Sequence, residues 1–578
     1  MTSPAVTRAA ILAALCFAVP AEAAWVDNGD SLCTAANEQS GCAMVSDGAG
    51  GALVCWRDRR NSGMGIDLYA RGITSTGSLI GGPTGVPICV QTNDESNQAI
   101  ATDGKGGAII AWEDSRKTPA GSAIYAQRMR ANGTVAWAAN GVPVDTMPGY
   151  QLKPSLIPDG SSGVIVVWEA TRSGRSQIYA QRLDSLGVVK WTANGLPVAT
   201  TLTEETDPVA VTDGAGGAMI SWYDARSTAG GYNSVYAQRI NGSGAPPAPW
   251  PAAGVSIVDA TDFPSLPTMA VNDSGGAVIA WEDYRDFGTN GADIYAQRVD
   301  GSGNLRWTLN GAAVCAFSGD QVSPTLTRDG SGGTILAWED VRGGTTNRTI
   351  YGQRMLSGGT KSWATDGVLF CSAPQRRFYP KIIADGVGGG ITTWQDYRTG
   401  VNTDIYAQRV TGGGALLWGS TGVAVCDTTN DQQLPVLVSD GGAGALIAWH
   451  DGRGGSLTSN YDIYVQHLNA NGATWSTTAV DFSPVARFAI DSPRPNPASG
   501  PVLLAFRMPD AAPVEVAIFD LAGRAVRQLA RGERYEAGAH TLHWDGRDES
   551  GALTAPGLYF VRARAGALSA DARIVRIR

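Results

Sequence analysis

Apolar and polar residues alternate along this chain in a block that returns at nearly constant intervals. A clear copy is Ala108-Ile109-Ile110-Ala111-Trp112-Glu113-Asp114-Ser115-Arg116, a short apolar run closed by a Trp-x-Asp-x-Arg pattern. The tryptophans of the pattern are Trp56, Trp112, Trp168, Trp222, Trp281, Trp338, Trp394 and Trp449, spaced 54 to 59 residues apart. Runs this short, bounded by Gly and Asp, predict strands rather than helices. A second strand is predicted just upstream, in Pro-containing stretches such as Pro154-Ser155-Leu156-Ile157, which end at Asp159-Gly160. A third follows in Ile124-Tyr125-Ala126-Gln127-Arg128, with its apolar positions two apart; it recurs at 178–182, 235–239, 294–298 and 405–409. A Trp-x-x-x-Gly segment such as Trp137-Ala138-Ala139-Asn140-Gly141, running into Val142-Pro143-Val144, supplies an outer strand.

Four short strands per unit, repeated eight times, predict an all-β fold with an eight-bladed β-propeller over residues 24–482. The segment Trp25-Val26-Asp27-Asn28-Gly29 matches the outer strand yet precedes the first complete hairpin. It is expected to complete the last blade, a place for which residues 475–480 compete. From the turn Asp to the motif Trp the spacing is nine residues in seven units and eight from Asp273 to Trp281. From the motif Arg to the next Tyr it varies from seven (Arg172 to Tyr179) to eleven (Arg453 to Tyr464). The variable loops mark the face on which a glycan or protein ligand is expected.

The repeated acid, base and aromatic are Trp56, Asp58 and Arg60; Trp112, Asp114 and Arg116; Trp222, Asp224 and Arg226; Trp281, Asp283 and Arg285; Trp338, Asp340 and Arg342; Trp394, Asp396 and Arg398; and Trp449, Asp451 and Arg453. One copy would resemble an active site. Eight copies predict a structural role, with Asp and Arg holding turns and joining adjacent blades through charge-assisted hydrogen bonds. Trp168-Glu169-Ala170-Thr171-Arg172 lacks the Asp, so that blade should be held less firmly or by a substitute. No catalytic residue, cofactor or metal ligand is assigned: the chain has no Gly-x-Ser-x-Gly, no phosphate-binding loop, no Asp-x-Asp-x-Asp-Gly calcium loop and no Cys-x-x-Cys.

Composition changes this picture at its edges. The 43% hydrophobic content supports large buried cores, and a net charge of −9 carries no basic footprint for nucleic acid. Arg8, the apolar run 9–19 and Pro20-Ala21-Glu22-Ala23 read as a signal peptide over residues 1–23, and no later run is long and apolar enough to cross a bilayer. Seven cysteines remain after cleavage. Cys33, Cys89, Cys315, Cys371 and Cys426 each lie four residues after a repeat glycine, so they are expected to be buried apolar fillers, with Cys33–Cys42 as the one local disulfide to consider.

The repeat stops near Ser483, and a Pro-rich linker over residues 483–497 leads to a second domain at 498–578, with strands expected at 503–508, 514–519, 540–544 and 558–563. Its motifs are Pro495-Asn496-Pro497, the run 514–524 ending Asp520-Leu521-Ala522-Gly523-Arg524, Gly538-Ala539-His540, Trp544-Asp545-Gly546-Arg547-Asp548, Gly551, Gly557-Leu558-Tyr559-Phe560 and a basic end at Arg576 and Arg578. In this order they resemble the C-terminal sorting domain of type IX secretion, which is similar to the Ig-like domain of the flagellar hook-capping protein. The resemblance implies a small Ig-like β-sandwich, the type IX machinery as partner, and delivery outside, or onto the surface of, a Gram-negative-type bacterium. The function expected is that of an exported, non-catalytic binding protein. The alternative is an extracellular hydrolase of glycans or peptides, which predicts non-repeated acidic residues at the mouth of the propeller channel.

Overall fold

The computed structural model describes residues 25–474, apart from 62, 64, 117–120, 173, 202, 228–233, 260–263, 273–274, 345–346 and 455–459. It also describes residues 489–577, apart from 491–492, 494–495, 497, 499, 509–511, 536–537 and 567. The signal segment, the competing segment 475–480 and most of the linker lie outside the described residues. The chain divides into two compact units, Met1–Ser476 and Thr477–Arg578. Both are all-β: the helical turn among the described residues is a 3-10 turn at Ala225–Ser227, and no described helix is long and apolar enough to cross a membrane.

The first unit is propeller-like. Its described residues form eight antiparallel sheets, each starting from an inner strand: Gln39–Ser46, Glu95–Thr102, Gln151–Pro158, Glu205–Thr212, Pro264–Val271, Gln321–Arg328, Arg377–Ala384 and Gln432–Ser439. In the second sheet, Ala108–Asp114, Ala123–Met129 and Val142–Asp145 follow outward in turn. Each inner strand packs against the next in chain order, and Gln432–Ser439 packs against Gln39–Ser46. The N-terminal strand Asp30–Cys33 pairs with Asp462–Leu468 and so becomes the outer strand of the last sheet.

The cores lie between neighbouring sheets. Leu53, Cys55 and Leu68 of the first sheet pack with Ile110, Trp112 and Met129 of the second, and Trp25 and Leu32 join Trp56 to Leu446 and Ile463 across the first and last. The eight motif tryptophans are all fully buried. The outer loop must pass directly over this ring. At Gly141, where φ is +83°, an added Cβ would stand 2.5 Å from Trp112 Cη2, so both the conformation and the space require glycine.

Residues outside the Trp-x-Asp-x-Arg pattern also tie neighbouring sheets. The outer Trp137 Nε1 and the third-strand Arg128 both donate to Ser185 O in the next sheet, at 3.2 and 2.9 Å. The same pair of bonds recurs from Trp191 and Arg182 to Gly242 O and from Trp418 and Arg409 to Ala470 O. Trp25 follows the pattern by donating to Ser75 O. One spacing is also corrected. Asn272, nine residues before Trp281, takes the turn that Asp103 makes elsewhere, accepting from Gly276 N as Asp103 does from Gly107 N.

The second unit pairs two sheets, one of Ala489–Ile490, Val502–Met508 and Gly538–Trp544, the other of Ala525–Tyr535, Ala512–Phe519, Gly557–Ala565 and Leu568–Arg576. Between them lie Leu504, Phe506, Val516, Ile518, Trp544, Val561 and Ile574.

Candidate functional site

The Trp-x-Asp-x-Arg residues form one bonded unit per sheet. Trp112 Nε1 donates to Asp114 Oδ2 at 2.8 Å, while Arg116 binds both oxygens of Asp114 and lies 3.8 Å from the centre of the Tyr125 ring. The second terminal nitrogen, Nη2, also donates to Cys89 Sγ and to Asn140 O in the loop before the outer strand of the same sheet. Asp and Arg therefore hold the outer loop of their own sheet and, through Cys89 at the end of the outer strand Val86–Cys89 of the first sheet, also join adjacent sheets as expected. Cys33, Cys89, Cys315, Cys371 and Cys426 are more than apolar fillers, since each lies under the motif Arg of the neighbouring sheet as a soft acceptor. The described cysteines, Cys33 and Cys42 included, are free thiols.

The defective third sheet is repaired from elsewhere. Asp145 occupies the cysteine place and accepts from Trp168 Nε1 at 3.0 Å and from Arg172 at 2.6 Å. Where the first sheet meets the second, Cys89 of the one and Glu95 and Asp114 of the other bring three ligand-type atoms within 4.8 Å of one another. The cation at that place is Arg116. Glu95 stands where Gln39, Gln151, Gln321 and Gln432 donate to loop carbonyls, and burial beside Asp114 pushes its carboxyl up to about 8.

The break in the repeat lies at the inner strands. Each carries a bulge, with the third residue at positive φ in Gly41, Asn97, Lys153, Asp207, Ser323, Tyr379 and Leu434. Such a conformation costs a side-chain-bearing residue on the order of 1–3 kcal/mol and needs support. The residue between Trp and Asp in the preceding sheet gives it. Glu113 accepts from Lys153 N at 2.6 Å, Glu282 from Ser323 N at 2.7 Å, Glu339 from Tyr379 N at 2.8 Å and Gln395 from Leu434 N at 2.9 Å. After the bulge comes Pro154, Pro208, Pro267, Pro324, Pro380 or Pro435, but Cys42 and Gln98 in the first two sheets.

At that seam the staple changes chemistry. The residues between Trp and Asp are Arg57 and His450. His450 Nε2 accepts from Cys42 N at 3.1 Å, a bond that proline would forbid, and burial, then the Arg57 charge, lower its pKa to about 4. Arg57 cannot accept, and Gln98 Nε2 bridges to Gly41 O instead. A cavity of about 310 Å³ opens here, lined by Gly41, Cys42, Ala43, Arg57, Asn97, Gln98, Tyr379, Lys381, Leu434, Pro435, Val436 and His450. Lys381 occupies a register place held elsewhere by Ala43, Ala99, Ser155, Val209, Thr268, Thr325 and Val436. Protein crowds it while leaving it open to solvent, and this desolvation lowers its ammonium pKa. Among the described residues neither the Arg57 nor the Lys381 side chain has a hydrogen bond or ion pair, and no lining side chain is a carboxylate.

None of the motif Asp or Arg residues lines this cavity. Sequence reasoning missed it, although the signal was present: a lysine among small residues, two absent prolines, and Arg and His where Glu is commonest. The cavity does lie at the strand ends from which the variable loops leave, since Ser40 pairs with Arg57 and Gln39 with Asp58.

In the second unit the motif residues shape turns. Asn496 bridges Arg573 O and Val575 N; Asp520 accepts from Ala522 N and Arg524 N around Gly523; and Asp545 accepts from Arg547 N. Trp544 donates to Arg547 O and Tyr559 OH to Ala555 O. Gly546 and Gly557 have positive φ, and Gly546 sits under the Arg576 guanidinium.

The FlgD Ig-like domain family matches residues 497–568. No curated protein matches the chain in sequence. Among solved structures, the polysaccharide lyase Uly1 is similar at 12% identity and a TM-score of 0.42, over 64% of this chain and 89% of that one. A protein of unknown function from Dyadobacter fermentans is similar at 12% identity and 0.34, over 57% and 96%. An α-L-arabinanase of Penicillium chrysogenum, complexed with arabinobiose, is similar at 13% identity and 0.30, over 65% and 93%.

Proposed function

We propose that this chain is an exported binding protein whose first unit is a closed, eight-bladed propeller and whose Ig-like unit directs passage across the outer membrane by the type IX route. The strand Asp30–Cys33 in the last sheet supports closure. The observation that carries the binding role is the cavity at the seam, where Arg57, Lys381 and His450 depart from the repeat and two cations stand without partners. A blade-forming residue needs no such departure, whereas a ligand site does. Hydrolysis by an acid pair would need two carboxylates facing one ligand, and the described lining offers none.

Binding of the mature chain to a glycan array and to envelope extracts tests this reading, run beside the double variant Arg57→Met, Lys381→Met. Ligands lost in the variant place the function in the cavity; a variant that binds as the parent does removes it from there. For export, removal of residues 493–578 should trap the propeller in the periplasm. Unchanged surface delivery would refute the sorting role.

A further inference from the structure

We infer that the seam cavity holds an anionic sugar, the carboxylate of a uronate or a sulfate ester, with Arg57 and Lys381 on the charge and the amide oxygens of Asn97 and Gln98 on ring hydroxyls. This rests on the binding role just proposed and adds to it the class of ligand. Arg57 and Lys381 line one cavity that no carboxylate lines, and a single anion there would pair with both. The guanidinium fork suits a two-oxygen anion. The imidazole of His450 does not compete for the anion as a third cation, because it is neutral at ordinary pH and its Nε2 is engaged by Cys42 N.

The remaining polar groups choose among anions. Asn97 Nδ2 is spent on Glu113 Oε1 and Gln98 Nε2 on Gly41 O, so what these two lining residues have left to offer a ligand is chiefly the amide oxygen, an acceptor. A ligand that is anionic at one end and donates hydroxyls at the other meets both needs, and Tyr379, half exposed, offers a ring and a phenol beside them. At about 310 Å³ the space is at the small end of ligand pockets, which run from roughly 300 to 1,000 Å³, and suits one or two sugar rings. An acidic peptide is disfavoured because it would bind by adding a strand. The inner strands offer no continuous backbone edge, being broken by a bulge in each and by Pro380 and Pro435 in two of those that line the cavity.

Isothermal titration of the full mature chain distinguishes these ligands, using a galacturonate trimer, its carboxyl-reduced counterpart, a sulfated neutral trisaccharide and a glutamate-rich peptide. One of the two acidic sugars should bind, and the pair decides between carboxylate and sulfate ester. The uncharged trimer should bind about tenfold more weakly or worse. Lys381→Met should cost a similar factor and Lys381→Arg much less, with no lowering of the unfolding midpoint in either. Equal binding of charged and uncharged trimers, binding of the peptide alone, or silence toward both acidic sugars overturns the inference. If the uncharged trimer binds and Tyr379→Ala abolishes it, the cavity remains the site and the anionic ligand class fails.

Discussion

Lys153 and Lys381 lie on inner strands of different arcs of the first unit, and only one of them is neutralised. Lys153 sits 2.6 Å from Asp207 and 3.5 Å from Glu169. Burial works against its charge, but the bonds to these carboxylates outweigh it and raise its pKa. Lys381 has no such partner, and its pKa is lowered. The same contrast holds between the arcs as wholes. In sheets two, three, five and six the residue after the motif Trp is Glu, and each such Glu receives the bulge of the next sheet. At the seam it is His450 and Arg57, and the polar groups of the inner strands are left facing a cavity. A repeat thus serves stability wherever its side chains satisfy one another, and becomes free to bind where they stop doing so.

The sharpest way to break the comparison is to damage the regular arc. Trp338→Ala, which removes a fully buried ring bonded to Asp340, should cost about 3–5 kcal/mol in urea unfolding. A loss as large from Lys381→Met would erase the distinction between the arcs.

Next comes the repaired sheet. Asp145→Ala should cost about 3 kcal/mol, because Arg172 and Trp168 lose the buried carboxylate they share. Adding Ala170→Asp in the same chain should restore most of it, by returning the acid to its usual place. In the parent, Ala170→Asp alone should destabilise, as two buried carboxylates would then meet one Arg. If the double variant is no better than Asp145→Ala, the substitution account fails.

Glu95 supplies a pH test within the regular arc. Its carboxyl titrates at about 8 when folded and near the ordinary glutamate value when unfolded, so the folded chain holds the extra proton across that window. Stability contributed by this group is therefore full below about pH 4.5, falls as pH rises toward 8 and then levels. Asp293 and Asp404, both raised to about 7 by burial first, slope the same way. Glu95→Gln should stabilise by roughly 2–3 kcal/mol at pH 7 and by almost nothing at pH 4, flattening part of the slope. An unchanged slope between pH 4 and 8 would show that Glu95 is charged in the fold.

How much of this was legible follows from what repeats. The motif strands, their turns and the outer Trp stand out because eight copies average away local accident, and strands 503–508 and 514–519 were read close to Val502–Met508 and Ala512–Phe519. Ala525–Tyr535 and Leu568–Arg576 were not read as strands, since both are rich in Arg with many exposed positions and lack an apolar run. Asp145 was invisible as a substitute because it enters from another strand and only the folded register sets it beside Trp168. The cavity was missed for the opposite reason: attention to what recurs passes over a lysine that occurs once.

The smallest expected effect is the most telling. Lys381→Met removes an unpaired and partly desolvated ammonium, so its unfolding free energy should change by no more than about 0.5 kcal/mol, and toward greater stability. Lys153→Met removes a cation that two carboxylates need, and should destabilise by about 1 kcal/mol, less so in high salt because half of that lysine is exposed. The two lysines differ in surroundings and not in kind, so their difference measures what the surroundings do. Similar small losses from both would mean that the Asp207 pair is worth nothing and that the arcs differ only in appearance. Stabilisation at Lys381 beside destabilisation at Lys153 would show that the seam keeps its charge at a cost to the fold, as a binding residue does and a structural one does not.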